Sequence, residues 1–490
     1  MKPLKVLFLS AEAEPFIKIG GLGDVAGSLP QALSALGEID IRLVIPFHGA
    51  IQRQAYSIDP LVTFTLSHRD GPVRTEVLTT EIKGLRVYLI TGDMINPDAP
   101  VYSSNPGEDA NKYTFFSIAS IELMEAINWY PDVLHANDWH TALAIYALGL
   151  FKNKAYKNIA TLIGIHNLPF LGDSISTTLD EFGLPLNDDP SLPGWAKDLP
   201  LALGIQHADH IVAVSPTYAR EILTEEFSSG LEDVLKQRSR SISGILNGIN
   251  TEFWNPQSDP NLAKNYSLES IDTKTSNKEA LTNDFKLNPD PKIPLLGLVS
   301  RLDPQKGIDL LPSALREIAD KPWQFILLGT GDHELEVNLS RLEADYPDKI
   351  RVALRYDAML SHRIYASADA LLIPSRYEPC GLTQMIAMRY GCIPIARKTG
   401  GLKDTIMDFN ESPNSTGFLF EKAISKDFAG GIRRALSIFT NKEEWQALQK
   451  RGMSSDFSWD SSARKYQDLY RSITRKKRKK LIKTPDPEKI

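Results

Sequence analysis

The sequence has little cysteine and no long apolar run. Its two cysteines, Cys380 and Cys392, are too few for the disulfide framework of a small secreted protein, so a reducing compartment is expected. No apolar run approaches the roughly 18 residues that a membrane-spanning helix needs. The N-terminal "MKPLKVLFLS" leads into a strand-like run without a small-residue cleavage site, so no signal peptide is expected. These absences predict a soluble, cytoplasmic protein.

A global excess of positive charge is also missing. The net charge is -6 and the pI about 5.9, so neither nucleic acid nor a membrane is expected as a partner. The local exception is the run of six basic residues at 475–480. Because no aromatic residues interleave it, we expect a solvated, disordered tail over 475–490, the alternative being a nucleic-acid or membrane patch.

The chain of 490 residues, 42% of them hydrophobic, is long enough for about two to four globular domains. Short apolar runs without strict polar alternation recur along it and alternate with helical patterns, as is typical of parallel strands covered on both faces. In the first half these runs are 5–10, 41–46, 132–137, 160–166 and 210–215, and closely spaced runs between 62 and 89 predict an antiparallel insertion. In the second half they are 294–300, 324–329, 370–375 and 392–396.

Two helix starts can be predicted in the first half. Apolar residues at helical spacing over 25–36 indicate a helix, with Asp24 as its N-cap and Gly37 as its stop. Ser215 followed by Pro216 opens another helix.

A polar, weakly periodic segment at about 255–290 separates the two strand series. The fold class is therefore predicted to be α/β, with two Rossmann-like doubly wound domains joined near residue 250 and facing a deep cleft. Ligands of such sheets bind at the carboxyl ends of strands, so the motifs that carry chemistry should gather there.

The glycine-rich stretch "KIGGLGDV" follows the first predicted strand. Gly20, Gly21 and Gly23 leave backbone N–H groups open to an anion at a helix start, and Lys18 adds a positive charge. A dinucleotide fingerprint is broken because Ala26 stands where its third glycine belongs, which disfavours a dehydrogenase. An ordinary tight turn is the alternative.

Histidines follow two strands of the first half. "HANDWH" contains His135, Asp138 and His140, but a zinc site would lack a fourth ligand, so we interpret it as a buried polar network. His166 and Asn167 follow the next strand, where a histidine is either structural or catalytic.

Two loops of the second half carry the strongest signals. Arg301 and Lys306 lie between a strand and a helix, where two cations can bind a diphosphate. Glu378 precedes an apolar helix, with Gly381 and Thr383 close behind, and its carboxylate can accept hydrogen bonds from sugar hydroxyls. Together the loops predict a nucleotide-sized polyanion and a polyhydroxylated partner.

The motifs together resemble one enzyme family. "KIGGLGDV", "HANDWH", "IHNLPFLG", "VSPTYAREI", "GILNGIN", "SRLDPQKGIDLL", "SRYEPCGLTQ" and "TGGLKDT" are similar, in order and spacing, to bacterial glycogen synthase and plant starch synthase over roughly residues 4–470. The resemblance implies a GT-B fold with an acceptor-side domain at 1–250, a donor-side domain at 251–458 and a helix at 459–474 that returns to the first domain. It implies transfer of glucose from ADP-glucose to the 4-hydroxyl of an α-1,4-glucan or malto-oligosaccharide, with retention and without cofactor or metal.

The resemblance also assigns roles. In the first half it places Lys18, Gly20 and Gly21 at the donor phosphates, His166 at the donor glucose, and Asp24, Asp138 and Asn247 at sugar and acceptor. In the second half it places Arg301 and Lys306 at the departing diphosphate, Glu378 at glucose hydroxyls, Tyr356 on the nucleotide base, and Gly381, Leu382 and Thr383 beside the phosphates.

Three positions depart from the family pattern. Ile19 replaces the usual threonine before the glycine pair, Ala202 replaces a usual lysine, and the segment at 101–113 is shorter than usual. The alternatives are therefore a glucan-binding or priming protein of weak activity, or an enzyme that uses UDP-glucose.

Overall fold

The computed structural model describes residues 2–483, and the chain divides into two compact units. Unit 1 comprises the chain up to Gly248 together with the segment that begins at Trp459, and unit 2 comprises Ile249–Ser458. None of the helices described within 2–483 is both long enough and apolar enough to cross a membrane.

The strands of unit 1 form one mixed sheet in the order β3-β4-β5-β2-β1-β6-β7-β8-β9. β4 runs antiparallel to β3 and β5, and the other neighbouring strands are parallel. The predicted strands and the predicted antiparallel insertion are thus confirmed. The strands are β1 (Leu4–Leu9), β2 (Ile39–Pro46), β3 (Asp59–Leu66), β4 (Val73–Ile82), β5 (Leu85–Gly92), β6 (Val133–Asn137), β7 (Ala160–Ile165), β8 (His210–Ala213) and β9 (Ile242–Gly244).

Helices connect these strands. They are α1 (Gly21–Ala35), α2 (Pro106–Ala126), α3 (Asp138–Leu150), α4 (Ser176–Glu181), α5 (Pro200–His207), α6 (Pro216–Glu221) and α7 (Glu232–Gln237). The predicted N-cap role of Asp24 is wrong, because the helix already begins at Gly21, with Gly20 as its N-cap, which leaves Asp24 in the first turn of α1. The predicted stop at Gly37 is confirmed by its left-handed φ of 74°. Ser215 caps α6 as predicted, its Oγ accepting from the Tyr218 N–H at 3.1 Å.

Alternate residues of β1 enter different cores, as expected for a strand covered on both faces. Val6 and Phe8 belong to the core that contains α1, whereas Leu7 and Leu9 belong to the core that contains α2. This packing fixes the carboxyl end of β1, which precedes the glycine-rich stretch in the chain.

Unit 2 is built on a parallel sheet in the order β12-β11-β10-β13-β14-β15. Its strands are β10 (Leu295–Val299), β11 (Gln324–Gly329), β12 (Ile350–Leu354), β13 (Ala370–Ile373), β14 (Ile393–Arg397) and β15 (Phe418–Phe420). Its helices are α8 (Lys274–Asp284), α9 (Leu311–Glu317), α10 (His333–Asp345), α11 (Ala358–Ser367), α12 (Thr383–Arg389), α13 (Gly400–Thr405), α14 (Ser425–Phe439) and α15 (Lys442–Met453). The four predicted runs are confirmed as β10, β11, β13 and β14, while the edge strands β12 and β15 were not predicted.

The last helix, α16 (Trp459–Lys483), belongs to unit 1, where Tyr466 and Tyr470 join the core that contains α1. The predicted disorder from residue 475 is wrong as far as Lys483, since the basic run lies within this helix. Lys477 Nζ lies 2.9 Å from Asp209 Oδ2, and Arg478 Nη2 lies 2.8 Å from Asp132 Oδ1. Cations at the carboxyl end of a helix are also favoured by its dipole. The remainder of the predicted tail lies outside the described residues.

Candidate functional site

The glycine-rich stretch, residues 18–23, runs from the loop after β1 into the first turn of α1; we call it the glycine loop. Lys18 Nζ lies 2.6 Å from Asp24 Oδ1 and 3.6 Å from Glu14 Oε2. Burial raises the pKa of Asp24 to about 6, although the ammonium of Lys18 opposes this shift. Lys18 and Asp24, predicted separately as phosphate and sugar ligands, are therefore in direct contact.

Sequence reasoning missed Glu12, which is only 1% exposed and lies between β1 and the glycine loop. Its Oε2 accepts from the Gly20 N–H at 3.0 Å and also from the Ile19 N–H. Its Oε1 accepts from the Tyr102 hydroxyl at 2.8 Å. The N–H of Gly20, predicted to bind a phosphate, is thus bound by a carboxylate of the chain itself. The signal available in the sequence was an acidic residue between the first strand and the glycine-rich stretch.

A buried polar network occupies the carboxyl ends of β6 and β7. Asp138, with a left-handed φ of 51°, accepts on Oδ1 from the N–H groups of His166 at 2.7 Å and Asn167 at 3.4 Å. Burial raises the pKa of Asp138 to about 7, and these two hydrogen bonds oppose the shift. A buried polar network is thus present at this strand end. It contains Asp138, one of the three residues predicted for it, together with His166 and Asn167.

The tautomer of His166 follows from Asn137, which sequence reasoning did not single out. Asn137 Nδ2 donates to the Leu9 carbonyl at 2.8 Å, so its Oδ1, 2.9 Å from His166 Nε2, accepts the proton of that nitrogen. Burial lowers the pKa of His166 to about 4, so the ring is neutral near pH 7 and its Nδ1 is an acceptor.

The two histidines of "HANDWH", His135 and His140, lie outside this network, so this part of the prediction is wrong. His135 Nδ1 is 2.8 Å from the hydroxyl of Tyr470, and the His140 ring packs against Trp139 with centroids 4.1 Å apart. Within residues 2–483, no cluster of three or more histidine, cysteine or acidic side chains is arranged to hold a metal ion.

Two further positions of unit 1 bear on the predictions. Asn247 follows β9 and is buried, and its Oδ1 has no hydrogen-bond partner among residues 2–483. Ala202 is completely buried in α5.

In unit 2, Lys306 and Glu378 form an ion pair at the carboxyl ends of β10 and β13. Lys306 Nζ lies 2.9 Å and 2.8 Å from the two carboxylate oxygens of Glu378, and Ser375 Oγ donates to Oε2 at 2.8 Å. The Asp303 carboxylate caps the backbone N–H of Lys306 at 3.1 Å and lies 3.4 Å from Arg301 Nη2. The structure therefore brings three of the predicted residues, Arg301, Lys306 and Glu378, into one connected group.

The loops after β13 and β14 pack closely against each other at Gly400. A Cβ on Gly400 would lie 1.9 Å from the Glu378 carbonyl oxygen, so the glycine pair of "TGGLKDT" serves close packing. Gly381 has a left-handed φ of 70°, and the buried Gln384 side chain donates to its carbonyl at 2.8 Å. Leu382 is the N-cap of α12, which begins at Thr383.

Two predicted donor ligands of unit 2 are highly exposed. The side chain of Arg301 is 67% exposed, and Tyr356, between β12 and α11, is 87% exposed. Both side chains are open to a ligand.

Two family models match the chain in succession. The starch synthase catalytic domain matches residues 5–237, and glycosyl transferases group 1 matches residues 279–452. A glycogen synthase of Clostridium novyi (strain NT) is 38% identical over 481 residues, which are 96% of this chain and 100% of that protein. A glycogen synthase of Lactobacillus acidophilus is 39% identical over 95% of this chain and 99% of its own.

The chain belongs to the glycogen synthase family. The catalytic domain of starch synthase IV from Arabidopsis thaliana, bound to ADP and acarbose, matches 96% of this chain and 100% of its own with 33% identity and a TM-score of 0.88. A sucrose-phosphate synthase from Thermosynechococcus elongatus shares the fold, with a TM-score of 0.60 and 18% identity over 96% of this chain and 99% of its own. This member of the glycogen synthase family is a glycosyltransferase with the GT-B fold.

Proposed function

We propose that the chain transfers glucose from ADP-glucose to the 4-hydroxyl at the non-reducing end of an α-1,4-glucan, with retention of configuration. The observation that carries this proposal is the contact of Lys306 with both carboxylate oxygens of Glu378. Support also comes from the related starch synthase IV, whose structure holds ADP and acarbose.

In this proposal, Arg301 and Lys306 neutralise the departing diphosphate. Breaking the bond between glucose and phosphate leaves negative charge on the phosphate oxygen, and cations fixed in advance stabilise that charge without reorganisation. Glu378 fixes the Lys306 ammonium and binds glucose hydroxyls. The backbone of Gly381, Leu382 and Thr383 lies beside the phosphates, and Tyr356 packs on the nucleotide base.

Unit 1 supplies the remaining roles. Lys18 and the backbone N–H of Gly21 bind donor phosphate, while the N–H of Gly20 stays bound to Glu12. Lys18 gives up its contact with Asp24 when it binds the phosphate. His166 is neutral and its Nε2 proton is bound by Asn137, so its Nδ1 accepts a hydrogen bond from a glucose hydroxyl.

The sugar and acceptor contacts of unit 1 involve three further residues: Asp24, Asp138 and Asn247. Asp138 acts by fixing the backbone that carries His166, while the open Oδ1 of Asn247 accepts from a sugar hydroxyl.

Retention is assigned to attack on the face that the diphosphate leaves. The bond from C1 to the phosphate oxygen breaks, the bond from C1 to the acceptor O4 forms, and the acceptor proton passes to the departing phosphate oxygen. No residue of the motifs is placed as a covalent nucleophile. Mass spectrometry of the enzyme during turnover is therefore expected to detect no glucosyl adduct, and a stable adduct on a carboxylate would replace this mechanism with double displacement.

A donor comparison tests the proposal. Purified protein is incubated with a malto-oligosaccharide and either ADP-glucose or UDP-glucose, and kcat/KM is measured from nucleotide release and from chain lengthening. Lengthening with the higher kcat/KM for ADP-glucose is expected. Preference for UDP-glucose would correct the donor, and glucan binding without lengthening would favour a glucan-binding protein.

A further inference from the structure

The Tyr102 hydroxyl connects two segments of unit 1 through one buried carboxylate. It donates to Glu12 Oε1 at 2.8 Å, while Glu12 Oε2 accepts from the N–H groups of Ile19 and Gly20 in the glycine loop. Burial and the neighbouring Glu12 raise the pKa of Tyr102, so the phenol keeps the proton that it donates. Glu12 is 1% exposed, and a buried carboxylate is costly unless its oxygens are hydrogen-bonded.

The segment that carries Tyr102, residues 100–105, is fixed by contacts with buried side chains of α2. Lys112 Nζ, buried in α2, donates to the carbonyls of Pro100 at 3.1 Å and Val101 at 2.8 Å. The Lys112 ammonium is paired with Asp109 at 2.6 Å, and Asp109 also accepts from the Ser103 N–H at 3.0 Å. These hydrogen bonds fix the backbone on both sides of Tyr102.

At the glycine loop, the connection reaches the residues around Lys18. A Cβ on Gly23 would lie 2.9 Å from Glu12 Oε2 and 3.1 Å from Lys18 Cγ, so the carboxylate, the glycine and the lysine stem are closely packed. Glu12 also binds the backbone N–H groups one and two residues after Lys18. The position of the Lys18 ammonium therefore depends on the position of Glu12.

We propose that Tyr102 and Glu12 are positioning residues that couple the 100–105 segment to the glycine loop and thereby set the affinity of Lys18 for the nucleotide diphosphate. This inference rests on the proposed function, which places Lys18 at the donor phosphates. Tyr102 itself does not touch the diphosphate.

Titration calorimetry with ADP as the probe tests the coupling. Tyr102→Phe removes the hydroxyl and keeps the ring, and we expect the Kd of ADP to rise about tenfold, the effect of losing one hydrogen bond to a charged group. Tyr146→Phe is the matched control, because it removes a hydroxyl of unit 1 that donates to the Pro185 carbonyl at 2.8 Å, remote from this connection. ADP affinity of Tyr146→Phe should equal that of the wild type.

A double-mutant cycle separates positioning from direct contact. In a Lys18→Ala background, Tyr102→Phe should change the Kd of ADP less than twofold, because the residue through which Tyr102 acts has been removed. An undiminished tenfold effect in that background would overturn the proposal by showing direct contact. In steady-state assays, Tyr102→Phe should raise KM for ADP-glucose about tenfold while kcat changes less than threefold.

A measurement on the free protein distinguishes failure of this inference from failure of the proposed function. Amide hydrogen exchange at Ile19 and Gly20 should accelerate in Tyr102→Phe but not in Tyr146→Phe. Unchanged exchange and unchanged ADP affinity would overturn the coupling while leaving the enzyme assignment intact. Wild-type protein that bound neither ADP nor UDP would overturn the proposed function and this inference with it.

Discussion

The ammonium nitrogen of Lys306 lies 2.9 Å and 2.8 Å from the two carboxylate oxygens of Glu378. Ser375 donates to the same carboxylate, and Asp303 caps the backbone of Lys306, so both partners are held from two sides. The cation is therefore in position before a substrate arrives. Such preorganisation is what electrostatic stabilisation of a leaving diphosphate requires.

Lys306→Ala should lower kcat about 10²- to 10³-fold, because loss of one fixed electrostatic donor has about that effect. Binding of a malto-oligosaccharide, measured by affinity electrophoresis, should change little. Lys321→Ala is the control, since Lys321 is a half-exposed lysine of unit 2 that pairs with Asp320. A kcat of Lys306→Ala within threefold of the control would contradict the assigned role.

Gly381→Ala should lower the melting temperature of the protein. Gly381 has a φ of 70°, and an added Cβ would lie 2.4 Å from Gln384 Oε1. The left-handed backbone alone costs an alanine about 1–2 kcal/mol. Gly430→Ala is the matched control in α14, where a Cβ would meet nothing within 4 Å, and it should stabilise slightly. Equal melting temperatures for the two variants would refute the local strain.

His166→Asn should change how stability depends on pH. Burial lowers the pKa of His166 from 6.5 to about 4, so between these values the unfolded chain binds more protons and the wild type loses stability as the pH falls. The loss attributable to His166 is about 2 kcal/mol at pH 5. Urea unfolding at pH 7 and pH 5 measures it: the free energy of unfolding of the wild type should fall by that much more than that of the variant. Equal falls would show that His166 is not buried in its neutral form.

Lys477→Ala should destabilise unit 1 by up to about 1 kcal/mol, as partly buried surface ion pairs do. Lys477 is paired with Asp209, and both side chains are about one quarter exposed, at 23% and 25%. Lys476→Ala is the matched control, because the neighbouring Lys476 is exposed on the same helix. The difference in urea midpoint between the two variants should shrink at high salt, and a difference that salt does not alter would contradict the ion pair.

The strands could be predicted because parallel strands that are buried on both faces appear in the sequence as continuous apolar runs. β12 was not predicted because Arg351 interrupts its apolar run, and β15 was not predicted because it has only three residues. The disordered tail was predicted from local charge, whereas the partners of the basic run, Asp132 and Asp209, are distant in sequence.

The candidate site could be predicted only in part. Lys306 and Glu378 could be predicted as site residues because each is a charged residue in a loop that follows a strand. Their contact with each other, across 72 residues of sequence, was not predicted. Glu12 and Tyr102 are 90 residues apart, and neither periodicity nor composition indicates that pair. Asp24 was misplaced as a helix cap because a helix start built from glycines gives no capping signal.

Lengthening of an α-1,4-glucan by retaining transfer can be tested in a single reaction. Maltohexaose is incubated with ADP-glucose and the wild-type protein, and the products are followed by mass spectrometry, ADP quantification and proton NMR of the new linkage. We expect malto-oligosaccharides longer by one or more glucose residues, one ADP released per residue added, and α-1,4 linkages only. Release of ADP without lengthening, or a β linkage in the product, would contradict it.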